Sequence, residues 1–177
     1  MFAQADYLAA QQLLARGTSA HPSNEWIWRL QAQNARQLGD FRAALASFRA
    51  LQELRPDKLE YVQESLQSAV AAGLMEEAIS ILESLERLSG ITPETVKQKM
   101  EFYLQANDLK GAEKVLRQAA DTQPKRVEYL GLLGQFYDAN GQSKKALKVL
   151  KLAVSRFPEN AAIAMEMARV LQSKGDV

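Results

Sequence analysis

Apolar residues recur three and four positions apart in short runs, each closed by a turn signal. Between residues 127 and 160, Leu130, Leu133, Gly134 and Tyr137 fall at helical spacing and stop at Asn140-Gly141, a helix-ending pair. A second run follows, with Ser143 as the expected N-cap before Ala146, Leu147, Leu150 and Ala153. It ends at Phe157-Pro158, where the proline ring stops the helix. The pattern predicts two short helices, A and B, packed antiparallel. Helices this short are marginal alone in water, so the pair must bury its apolar stripes against itself and against a neighbouring pair.

The same unit returns at a constant interval of 34 residues. Ala10, Ala44, Ala78, Ala112 and Ala146 form one column. Pro22, Pro56, Gly90, Pro124 and Pro158 form a second, and Gly39, Gly73, Asn107, Gly141 and Gly175 a third. A small residue, a turn residue and a helix terminator locked in one period identify an array of a single repeated unit. Full units span residues 25–58, 59–92, 93–126 and 127–160 of a single 1–177 array. A half unit, helix B only, precedes them in residues 1–24. Another, helix A only, follows in residues 161–177 with Met165, Met167, Ala168 and Leu171. Ala5-Asp6-Tyr7 is expected to be the turn before the first helix B, as Gly39-Asp40-Phe41 is in the next unit. The total is about ten helices. Leu13, Leu14, Met167 and Leu171 are not the polar capping faces with which such arrays close, so the chain reads as a piece of a longer one.

These residues resemble the tetratricopeptide repeat, whose pattern runs W-x2-L-G-x2-Y, then A-x3-F, then P. Residues 127–160 supply Leu130, Leu133-Gly134, Tyr137, Ala146, Leu150 and Pro158. Residues 25–58 supply Trp28, Gln31-Ala32, Ala35, Ala44, Phe48 and Pro56. The resemblance covers essentially the whole chain and implies an all-α fold, an α-solenoid of antiparallel helix pairs wound as a right-handed superhelix. Leu66 and Met100 stand in the slot where this family prefers Gly or Ala, so those two pairs are expected to be splayed. At the Gly90 boundary Thr92 is the expected N-cap and Pro93 a first-turn residue, with a linker slightly longer than elsewhere. Trp28, Tyr103 and Tyr137 are expected in the core.

Function follows from the same resemblance. In this family the A helices line the concave wall and hold the ligand, which here assigns partner binding to Trp26, Arg29, Gln33, Arg36, Gln63, Gln67, Lys97, Glu101, Gln135, Asp138 and Arg169. The expectation is a non-catalytic scaffold docking a partner protein or peptide on that wall. The Lys/Asn/Arg set that clamps a chaperone's C-terminal carboxylate is replaced by Arg29, Gln33, Gln67, Lys97 and Gln98, which speaks against that ligand. The style of the repeats is similar to bacterial envelope arrays, and a place in polysaccharide secretion or pilus assembly is the pathway it suggests. The alternatives are a structural spacer or self-assembly module, joined head to tail through the terminal half units, and the repeat part of a larger enzyme.

Composition and charge narrow the classes. The chain is 47% hydrophobic and 24% charged with net charge +1, enough apolar surface to fold and no strong field for nucleic acid or an anionic membrane. No apolar stretch reaches the length of a membrane span, and Met1 to Asp6 lack the pattern of a secretory signal. With no Cys, the redox compartment is open between bacterial periplasm and cytoplasm. Residues 59–92 carry six carboxylates against one Arg, while the units beside them are mildly basic. Lys144, Lys145, Lys148 and Lys151 form a basic stripe on a B helix and Glu76, Glu77, Glu83 and Glu86 an acidic one. Both read as solvated faces, though one molecule's basic stripe is able to meet another's acidic one. The single His, His21, sits beside Pro22 in a loop with no second ligand, and adjacent carboxylates such as Glu76-Glu77 face apart, so no catalytic group, metal site or cofactor is expected.

Overall fold

A computed structural model of the protein describes residues 2 to 173, with side chains from Asp6 onward; Met1 and the last column member, Gly175, lie outside the described residues. Among the described residues the chain forms ten helices and no strand. They are α1 (Phe2–Ala20), α2 (Glu25–Gln37), α3 (Phe41–Leu54), α4 (Leu59–Ala71), α5 (Met75–Ser89), α6 (Pro93–Gln105), α7 (Leu109–Thr122), α8 (Val127–Ala139), α9 (Ser143–Arg156) and α10 (Ala161–Ser173). None is long and apolar enough to cross a membrane.

The third column explains itself at the A-to-B turns. Gly39, Gly73, Asn107 and Gly141 have φ of 72°, 72°, 56° and 69°, the left-handed region that glycine enters without cost and asparagine at little. Around each, two backbone bonds close the preceding helix in a Schellman motif. The Gly39 N–H donates to the Arg36 carbonyl and the Asp40 N–H to Ala35, and the same pairs recur at Gly73, Asn107 and Gly141. Each of these turns is three residues long, which forces an antiparallel return. The B-to-A turns repeat as well, as in Arg55 N–H to Leu51 and Lys58 N–H to Arg55.

The alanine column marks where helices touch. Ala44, Ala78, Ala112 and Ala146 are all 0% exposed. The small slot on helix A has a direct cause at Gly134, where an added Cβ would lie 2.7 Å from Leu150 Cδ2. Ala32 in the same slot is fully buried, whereas Leu66 and Met100 are half-buried, too large to be swallowed by the joint.

Two compact units divide the chain, the first up to Leu88 and the second from Ser89. In the first, Ala32, Ala35, Ala44, Phe48, Leu51 and Tyr61 form a core on which Trp28 packs. In the second, Val96, Leu116, Tyr129, Leu130, Leu133, Phe136, Tyr137 and Leu150 belong to a larger apolar cluster. Tyr137 is fully buried there, and Tyr103 is half-buried, its ring pressed on Gly111 with no room for a Cβ.

Three local expectations are corrected. Ala5-Asp6-Tyr7 is no turn: α1 runs through it from Phe2, because the glycine that breaks the helix before Asp40 has an alanine, a strong helix former, in its place. Ser143 is the first helical residue and not the cap; Gln142 holds the N-cap position with no side-chain bond. The Gly90 linker is shorter than the others, three residues against four, because Gly90 ends α5 directly at φ 87° and Thr92 at once begins α6. Thr92 and Thr95 form a reciprocal capping box there, with Pro93 in the first turn.

Candidate functional site

The A-type helices of the first unit, α2 and α4, present a polar face on which Arg36 is tied to its neighbours. Arg36 is the hub. Its Nη1 lies 2.5 Å from Glu64, its Nη2 donates to Gln67 Oε1 at 2.9 Å, and its guanidinium sits 5.3 Å over the Phe48 ring. Of the expected binding residues, the structure therefore brings Arg36 and Gln67 together. Gln33 and Gln63 are exposed and Arg29 half-buried. Trp26, in the first turn of α2, is 64% exposed, while Trp28 turns inward and donates its indole N–H to the Pro22 carbonyl at 2.8 Å.

A groove of about 850 Å³ lies between α1 and α2, lined by Tyr7, Leu13, Leu14, Leu30, Gln33 and Arg36, among others. Leu13 stands 67% exposed on its wall. Sequence reasoning named Gln33 and Arg36 as binding residues and noted Leu13 and Leu14 only as apolar where a capping face would be polar; it did not single out Leu30.

The second unit has a different site. A groove of about 440 Å³ crosses its three A-type helices, α6, α8 and α10. Lys97 and Gln135, both expected, line it. Glu94, Glu128 and Glu166 also line it, above an apolar floor that includes Leu132 and Ile163. Gly131 belongs to this floor, and a Cβ there would come within 3.0 Å of Ile163 Cδ1. The other expected residues form pairs at its edges. Lys97 Nζ lies 4.0 Å from Glu101, and Arg169 bridges Asp138 at 3.1 Å and Glu166 at 2.6 Å. Carboxylates outnumber cations in this groove, and no single residue of the three glutamates stands out in sequence. Only their common helix faces bring them together.

Two tyrosine clusters on the repeat joints also escaped the sequence reading. In the first unit Glu25 Oε1 accepts from the Lys58 ammonium and the Tyr61 hydroxyl, and Arg55 Nη1 lies 3.1 Å from Oε2. The Lys58 hydrogen bond first, then that of Tyr61, holds the Glu25 carboxyl down at about 2, and burial pushes the Tyr61 phenol up. In the second unit the Tyr137 hydroxyl donates to Glu113 at 2.6 Å and accepts from Arg117 Nη2 at 2.7 Å. That Tyr137 hydrogen bond is the main cause lowering Glu113. These groups are fully employed in tying helices together. The Lys144 to Lys151 stripe of α9 is exposed, and α7 repeats it one period earlier with Lys110, Lys114 and Arg117.

Comparison with known proteins agrees with this architecture. Residues 29–90 and 103–169 each match a family model described as Tetratricopeptide repeat, between them well over half of the chain. No curated protein matches. Among solved structures, TTC0263, described as a thermophilic TPR protein in Thermus thermophilus, is similar at TM-score 0.51 and 22% identity, covering 97% of this chain and 93% of its own. PilW, described as a widely conserved type IV pilus biogenesis factor, is similar at TM-score 0.52 and 19% identity, with 97% and 80% covered. A MamA protein gives TM-score 0.51 and 19% identity, with 86% and 83% covered. At these identities the likeness is one of fold.

Proposed function

Because the chain belongs to the tetratricopeptide repeat superfamily, whose helix pairs serve as protein-interaction scaffolds, we propose that it is a non-catalytic scaffold that docks an extended partner segment on the A-type helices of its second unit. The observation that supports this reading is the groove across α6, α8 and α10. It offers an apolar floor for one or two side chains and amide and carboxylate groups at the walls, the mixture that orients a peptide without strong charge. Glu94 and Glu128 give it a preference for segments carrying Lys or Arg. The first unit is a poorer site by the same criterion, since Arg36 is already spent on Glu64, Gln67 and Phe48.

Selection of displayed random peptides on the wild-type chain and on a Glu94→Lys/Glu128→Lys variant tests the proposal. The wild type is expected to enrich sequences with basic residues, which bind the variant at least tenfold more weakly while its helix content is unchanged. Equal enrichment by both proteins, or none by the wild type, would sink it.

A further inference from the structure

The outer columns of the B-type helices carry charge, and the two units arrange it differently. Three positions on each of α3, α5, α7 and α9, matched by the 34-residue period, are exposed in all four helices. The exposure is therefore a property of the repeat, the same in every full unit. In the first unit the columns hold Arg42, Ala46 and Arg49 on α3 against Glu76, Ser80 and Glu83 on α5, rows of opposite sign, and Arg49 reaches Glu77 at 4.0 Å. In the second unit they hold Lys110, Lys114 and Arg117 on α7 and Lys144, Lys148 and Lys151 on α9, two rows of one sign in register. Arg117 and Lys145 approach the same Tyr137 ring, 5.8 and 5.2 Å from its centroid, so the two rows belong to one continuous face.

This face is held against local preference on two counts. Lys110 with Lys114 and Lys144 with Lys148 are like charges four residues apart, and Lys148 with Lys151 three apart, spacings at which repulsion weakens a helix. Lys110, Lys144 and Lys145 also stand in first turns that hold no carboxylate, at the positive end of the helix dipole. Helix α9 contains no acidic residue at all. Among the described residues none of the five lysines in these columns has an ion pair, whereas Arg117 is bound to Glu113. Free cations gathered at a cost to their own helices are relieved by an anion from outside the chain.

The side chains of the columns select among anions. A protein interface is built round aromatic, apolar or Arg anchors, with Lys depleted, and a nucleic-acid strand is held by aromatic stacking in a groove. These columns are Lys with one Arg already engaged, and they hold no aromatic side chain. An anionic lipid leaflet requires neither anchor nor groove, since it attracts compact, hydrated ammonium groups spread over a face, each adding to the whole. We propose that α7 and α9 form a face that rests peripherally and reversibly on an anionic lipid surface. It uses B-type helices only, whereas peptide docking uses the groove across α6, α8 and α10, so its failure would leave the peptide-docking reading standing.

Co-sedimentation with vesicles of phosphatidylcholine, with and without one third phosphatidylglycerol, tests it on the wild type and on two variants of equal net charge. Lys144→Glu/Lys148→Glu/Lys151→Glu reverses the α9 row, and Arg16→Glu/Arg42→Glu/Arg87→Glu reverses three cations of the first unit. All six positions are exposed, and circular dichroism is expected to stay at the wild-type level. The wild type is expected to bind the anionic vesicles and not the neutral ones. High salt should release it, as the screening length falls from about 10 Å at 0.1 M to about 3 Å at 1 M. The α9 variant is expected to bind at least tenfold more weakly, while the first-unit variant stays close to the wild type. No binding of the wild type to anionic vesicles overturns the proposal, as does an α9 variant that binds no worse than the first-unit variant. So does a wild type that ignores the vesicles yet binds duplex DNA or polyglutamate in an anisotropy titration, which would assign the face to a nucleic acid or an acidic protein.

Discussion

The two units use one repeat in two ways. The first is stitched by polar contacts across its joints, with Arg36 holding Glu64 and Gln67, and Glu25 holding Lys58, Arg55 and Tyr61. In the second, an apolar cluster runs from Val96 through Leu130, Leu133 and Tyr137 to Leu150, with the Glu113, Arg117 and Tyr137 cluster at its edge. The period fixes the turns and the small-to-large joints in both. What lies between the joints is free to be charge or hydrocarbon, and that choice sets which solution conditions each unit resists.

Both tryptophans, Trp26 and Trp28, belong to the first unit, so indole emission reports that unit while circular dichroism reports all the helices. The sharpest break in the comparison is Leu150→Ala. Leu150 is fully buried and packs into the Gly134 slot, so its loss is expected to cost the second unit about 3 kcal/mol. In a urea titration the dichroism should gain an early phase while the emission midpoint stays in place. A common shift of both signals would mean that the units unfold as one.

A smaller effect is expected from Tyr137→Phe. It removes the hydroxyl between Glu113 and Arg117 but leaves their own 2.9 Å contact intact, so the loss should be about 1 kcal/mol, again confined to the dichroism. A loss near zero would show that the hydroxyl's bonds only replace bonds to water.

The smallest expected effect concerns acid. The Glu25 carboxyl is held near 2 in the folded chain against an ordinary 4.5, so its contribution is present above pH 4.5 and fades as the pH falls toward 2. The urea midpoint followed by emission should drop across that window, and Glu25→Gln should flatten the drop. An acid profile identical in wild type and variant would show that Glu25 is not its source. Glu113, lowered by Tyr137, adds a slope of the same sign to the dichroism, so only the emission isolates the first unit.

Much of this fold was legible because its signals are written on the backbone. Gly39, Gly73, Asn107 and Gly141 occupy conformations that few residues tolerate, and Gly134 a gap where an added Cβ would press on the Leu150 side chain, so both leave marks in the sequence. The cap at Ser143 was misread by one residue because several polar residues beside that turn qualify by type. The Gly90 linker was misjudged because a capping box shortens a turn without altering its composition. The face of the A-type helices was readable from the period, as with Lys97 and Gln135. Arg36 shows what was not: whether a polar side chain on that face is available or already engaged depends on partners such as Glu64 and Gln67, 28 and 31 residues away. The Glu25 cluster escaped for the same reason, its partners Arg55, Lys58 and Tyr61 lying 30 to 36 residues away in the α3–α4 turn and the first turn of α4.

The identical turns carry a kinetic consequence. Among the described residues, helices in contact are neighbours or next-but-one along the chain, so no tertiary contact has to wait for a distant segment to arrive. Loop closure at a three-residue turn costs little entropy, and chains dominated by such local contacts fold quickly. A helix pair leaving the ribosome finds its first partner within the next few dozen residues, and folding proceeds by accretion from whichever joint forms first.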